Sequence, residues 1–87
     1  MEVKVLEKTK DLLKLEIVGE THTLCNLLRE ELWNQDVDIA AYHIEHPLVS
    51  NPVLVVSSKD PKKSLEKAID SLKKTFSKLR KEAEKLK

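Results

Sequence analysis

Eighty-seven residues are enough for one domain and a modest core. Sixteen Lys and Arg against fifteen Asp and Glu leave a formal charge of +1, without the basic excess usual in a free nucleic-acid binder. With 40% hydrophobic and 36% charged residues the chain is no disordered tail; no apolar run nears the ~20 residues of a membrane span, and a single Cys rules out an internal disulfide.

The first residues, "MEVKVLEK", alternate charge with hydrophobe and hold no signal-peptide core, so a cytoplasmic location is expected. Val3 to Leu6 is a short alternating run, and Glu7 to Asp11 is polar. In Leu12 to Val18, Leu13, Leu15 and Ile17 share one face, with Lys14 and Glu16 on the other. Period two over that length predicts a half-buried strand, and the two runs predict a hairpin closed by Gly19.

Thr21 or Thr23 can cap the next element, and Glu20 suits the positive end of a helix. Leu24, Leu27, Leu28, Leu32 and Trp33 then fall at helical spacing with Cys25 at their flank, and Asn34 and Asp36 close the helix. Ala40, Tyr42 and Ile44 predict one face of a third strand, opposite Ala41, His43 and Glu45. Pro47 stops ladder pairing, Ser50-Asn51-Pro52 signals a turn, and Val53 to Val56 completes a second hairpin.

Asp60-Pro61 is a helix start, with Asp as cap and Pro at the first helical position. Leu65, Ile69, Leu72, Phe76, Leu79, Ala83 and Leu86 follow in steps of four and three, a heptad-like stripe without Gly or Pro. The predicted architecture is α+β: residues 1–87 as a single domain, a four-stranded, mainly antiparallel sheet with two helices on one face, in the order ββαββα.

The second helix, from about Pro61 to Leu86, is too long for that sheet. It measures roughly 39 Å at about 1.5 Å per residue. Four strands cover roughly 19 Å across, and each runs roughly 20 Å. Phe76, Leu79, Ala83 and Leu86 therefore lack surface of their own to pack on, and an exposed apolar strip implies a partner with similar helices. The competing expectation is a helix that frays beyond Leu79.

Chemical candidates are weak. His22 and Cys25 can share a helix face, yet no orienting third group or oxyanion donor accompanies them, and one Cys does not make a structural zinc site. His43 and His46 point to opposite faces of a strand. Glu30 and Glu31 diverge on a helix, and a lone Gly cannot form a phosphate-binding loop. No catalytic residue, metal site or cofactor is expected. The basic segment from Lys73 to Lys87 reads first as the solvated back of an amphipathic helix. Phosphate contact is its alternative, but the only aromatic there is Phe76, on the apolar stripe.

Two motifs carry a family resemblance. His22-Thr23-Leu24 with Asn26-Leu27-Leu28-Arg29, and Tyr42-His43-Ile44-Glu45-His46-Pro47, resemble the alpha-like small subunits of cellular RNA polymerases. That family includes archaeal subunit L and its counterpart, the eleventh subunit of eukaryotic polymerase II. The likeness spans the whole chain, with one departure: Cys25 stands where the family usually has Gly, which predicts slightly wider packing there. The resemblance implies a non-catalytic assembly subunit of an archaeal DNA-directed RNA polymerase. It would form a heterodimer with the larger alpha-like subunit, named D, join the other small subunits, support the large catalytic subunits, and meet DNA only through the complex. It also implies partner contacts at Leu24, Leu27 and Leu28 and along Phe76, Leu79, Ala83 and Leu86. His22, Thr23 and Asn26 would set the first helix. The rival from another class is a homodimer that binds nucleic acid through the basic terminal helix.

Overall fold

Both periods read from the chain, two for strands and near 3.6 for helices, fold as expected. The computed structural model describes residues 2–19, 22–44 and 51–86, and His22 by its backbone alone. The elements are β1 (Glu2–Lys8), β2 (Leu12–Val18), α1 (His22–Leu32), β3 (Ile39–His43), β4 (Val53–Ser57) and α2 (Pro61–Glu84). They build one four-stranded sheet in the order β1-β2-β4-β3, antiparallel at every pairing. The central strands β2 and β4 turn Leu13, Leu15, Ile17, Leu54 and Val56 toward the helices.

Local chemistry sets each joint. In the first hairpin the Thr9 amide donates to the Leu12 carbonyl at 2.8 Å, and the Leu12 amide returns a bond to Thr9 Oγ1 at 3.1 Å. Gly19 leaves β2 with φ of 84°, a conformation that costs glycine little and a side chain more. Asn51 ties the second hairpin to β2: its Nδ2 donates to Glu16 Oε2 at 3.0 Å, and its Oδ1 accepts from the Gly19 amide at 3.4 Å.

Helix α1 tightens as it ends, with the Asn34 and Gln35 amides donating to the Glu31 and Leu32 carbonyls at 3.1 and 2.9 Å. Helix α2 starts as the sequence predicts. Asp60 is its cap, the carboxylate accepting from the Lys63 amide at 3.2 Å, and Pro61 occupies the first helical position. A buried bond between the Ser58 and Ser64 hydroxyls, 2.9 Å long, fastens the end of β4 to the first turn of α2.

The core has two patches. Leu13, Leu15 and Ile17 pack with Cys25, and Leu28, Leu32, Ala40, Leu54 and Val56 pack with Ala68. Leu24, Tyr42 and Leu65 touch both.

Cys25 is fully buried and packs with Leu13, Leu15 and Ile17 of β2, as a small apolar residue beside the arc would. Three expectations are corrected. Trp33 is past the end of α1 and half-exposed, although its amide still donates to the Arg29 carbonyl at 3.2 Å. Thr23 is the second residue of α1, inside the helix, and so does not cap it. Helix α2 stops at Glu84, leaving Leu86 beyond its end. The readings placed on Glu20, Thr21, Glu45, His46, Pro47 and Ser50 fall outside the described residues.

Candidate protein-docking surface

Helix α2 divides into two halves. Its first half packs on the domain: Pro61, Ser64 and Ala68 are buried, and Leu65, Ser71 and Leu72 partly so. From Lys73 to Leu86 every residue is exposed. At about 1.5 Å per residue the stretch to Glu84 adds roughly 18 Å of helix that no other described element covers. The molecule is accordingly long and thin, 46 × 33 × 17 Å. Phe76, Leu79 and Leu86 are 52%, 61% and 79% exposed, although the stripe itself is apolar.

The overhang leads into a groove of about 380 Å³ on the helix side of the sheet. Val3, Leu15, Ile17 and Leu54 form its floor and far wall, with Leu24 and Leu28 from α1 and Leu65, Ile69, Leu72 and Phe76 from α2. Apart from Lys73 all its lining residues are apolar. Register explains the far wall. Val3 pairs with Ile17 and Val5 with Leu15, so both valines face the helix side. Yet neither helix packs closely on β1, and all seven of its residues are exposed. Beyond Val5 a bulge shifts the register, setting Glu7 opposite Lys14.

The structure thus brings Leu24, Leu28 and Phe76 to one groove and runs Leu79, Ala83 and Leu86 onward from it. Thr23, Asn26 and Leu27 lie on the exposed side of α1 and do not line the groove. Asn26 accepts a hydrogen bond from Arg29 Nη2. The same guanidinium lies 3.3 Å from Glu30 Oε1 and stands over the Tyr42 ring. His22's side chain is outside the described residues. Leu28 needs a correction: with 8% of its surface exposed it serves the chain's own core first and offers a partner only its edge.

Sequence reasoning overlooked Val3, Leu15, Ile17, Leu54, Leu65, Ile69 and Leu72 as groove residues. The strand members became visible only with the register, while Ile69 and Leu72 already stood in the heptad stripe. Among the described residues no three His, Cys, Asp or Glu gather as metal ligands, and no helix is long and apolar enough to cross a membrane.

Such a surface suits helix-on-helix association. Apolar area removed from water contributes about 25 cal/mol per Å², and one fully buried Leu or Phe roughly 1.5–3 kcal/mol. Comparison with known proteins agrees. Residues 12–82 match the family model described as the RNA polymerase Rpb3/Rpb11 dimerisation domain. The chain is 47% identical over 76 residues to DNA-directed RNA polymerase subunit Rpo11 of Methanothermobacter thermautotrophicus, covering 84% of this chain and 85% of that one. It is 43% identical over 74 residues to Rpo11 of Nanoarchaeum equitans, covering 84% and 77%. The crystal structure of RNA polymerase subunit L from Thermoplasma acidophilum superposes with a TM-score of 0.86 at 31% identity, over 97% of this chain and 86% of that one. On fold, sequence and the length of chain matched, this protein belongs to the Rpb3/Rpb11 dimerisation-domain family of RNA polymerase subunits.

Proposed function

We propose that this chain is a non-catalytic assembly subunit of an archaeal DNA-directed RNA polymerase and pairs with the larger alpha-like subunit of that enzyme. The groove and the α2 overhang are the pairing surface. The pair then serves as the platform on which further small subunits and the large catalytic subunits assemble, in the cytoplasm. Nucleotidyl transfer takes place in the large subunits, and DNA is met only through the complex.

One observation carries this reading: the apolar groove lined by Val3, Ile69 and Phe76 leads on to Leu79, and all four of these side chains are exposed. Small soluble monomers rarely keep such a strip in water. The test is co-expression of the chain with the larger alpha-like subunit from the same cell, followed by tandem affinity purification. A stable one-to-one complex is expected. Separate elution of the two at micromolar concentration would overturn the reading.

A further inference from the structure

The exposed half of α2 carries a charge bias as well as an apolar stripe. Between Lys73 and Leu86 lie six basic and two acidic residues. Both acidic side chains are paired within the chain, Glu84 with Arg80 and Glu82 with Lys85, each at 3.4 Å. These exposed pairs screen Arg80 and Lys85 only in part, and the segment keeps a net excess of four positive charges.

Position sharpens the bias. With Phe76 and Ala83 at the heptad a sites and Leu72 and Leu79 at d, Lys73 and Arg80 occupy e, and Thr75 and Glu82 occupy g. Two copies of this chain would cover one another best with their α2 helices antiparallel, each overhang lying against the other's groove. In that arrangement e faces e and g faces g. With Phe76 packed against Leu79 of the other helix, Lys73 meets Arg80 twice, once on each side of the two-fold axis. Thr75 meets Glu82, which offsets neither contact.

Building on the pairing proposed above, we infer that this surface selects its partner by charge: it fits an amphipathic helix with Asp or Glu opposite Lys73 and Arg80, and it disfavours a second copy of this chain. Like charges along the rim of a helix pair discriminate against wrong partners while the stripe supplies the attraction. Neither cation lies in the core, so the selection works without cost to the fold.

The probe is the chain itself with Lys73→Glu and Arg80→Glu, checked for native helix content by circular dichroism. Wild type and variant are mixed and weighed by sedimentation equilibrium at about 50 mM and about 1 M salt, where the screening length falls from over 10 Å to about 3 Å. Mixed pairs are expected to form about tenfold more tightly than wild-type pairs at low salt, with the preference lost at high salt. A second variant, Lys73→Gln with Arg80→Gln, is expected to pair with itself more tightly than wild type does. Equal wild-type and mixed pairing at low salt would overturn the inference, as would the absence of any mixed pair. Tight binding of bare duplex DNA through these two cations, with pairing unaffected by their reversal, would also overturn it, in favour of a nucleic-acid surface. A chain that pairs with the larger alpha-like subunit yet ignores these charges would lose this inference alone.

Discussion

The guanidinium carbon of Arg29 stands 5.3 Å from the centre of the Tyr42 ring, joining α1 to β3. The two residues come from the two separate motifs that carry the family resemblance. A cation over an aromatic face contributes roughly 0.5–1 kcal/mol at a partly exposed site. The hydrogen bond from Arg29 to Asn26 holds the guanidinium in place. The pair adds to the buried contacts of Cys25, Leu28 and Leu32 that seat α1, the helix from which Leu24 and Leu28 line the groove.

Arg29→Ala is therefore expected to lower stability by about 1 kcal/mol, a fall of roughly 4–8 °C in melting temperature for a domain of this size. Arg29→Lys should recover part of it, because Lys keeps the charge but loses the planar fork. Thermal unfolding followed by circular dichroism is the check. An unchanged midpoint in the alanine variant would refute the structural role.

Cys25 is fully buried against Leu13, Leu15 and Ile17. Substituting glycine removes a packed side chain and loosens a helix interior, where Gly costs about 1 kcal/mol relative to Ala. The lost contacts add to this, so Cys25→Gly should destabilise the isolated chain by roughly 1–3 kcal/mol in urea unfolding. Equal or greater stability of the glycine variant would show that Cys25 strains the core rather than filling it. The native thiol should also resist iodoacetamide until the chain unfolds.

The overhang was legible in the sequence because it follows from two lengths alone, a stripe of seven apolar residues and the span of four strands. So were the ends set by local chemistry: Asp60 and Pro61 at the start of α2, Gly19 at the exit from β2. The strand order β1-β2-β4-β3 was not legible, since pairing between distant strands leaves no mark in either strand's own period. For the same reason Val3 and Val5 read as ordinary hairpin residues. Only their register opposite Ile17 and Leu15 places them beside the groove. Trp33 was misjudged: a wide apolar arc does not say which of its edges meets the sheet, and Trp33, just past the end of α1, is left half-exposed.

Leu28 and Leu79 separate folding from pairing. Leu28 is in the core, so Leu28→Asp buries an unpaired carboxylate and should unfold much of the population, a cost of several kcal/mol. Leu79 touches solvent, so Leu79→Asp should leave the isolated chain's melting midpoint unchanged within about 0.5 kcal/mol while weakening the complex with the larger alpha-like subunit at least tenfold. Melting curves and a pull-down on both variants decide it. If Leu79→Asp co-purifies normally, the overhang is not part of the interface.

Truncation after Leu72 gives the most direct separation. All the buried residues of α2 lie between Pro61 and Ala68, and the half-buried ones end at Leu72. The removed segment is exposed throughout, so its loss takes no core contact with it. The shortened helix keeps its Asp60 cap and the Ser58–Ser64 bond, which hold its first turn. Without Phe76 the groove is open at one end, and without Leu79 and Ala83 the stripe beyond it is gone. The shortened chain should therefore retain its sheet and both helices by circular dichroism, with cooperative unfolding, yet fail to hold its larger alpha-like partner through gel filtration. Retention of the complex would mean that the groove alone suffices and the overhang serves something else. Loss of cooperative unfolding would mean that the exposed half of α2 stabilises the domain in a way its contacts do not account for.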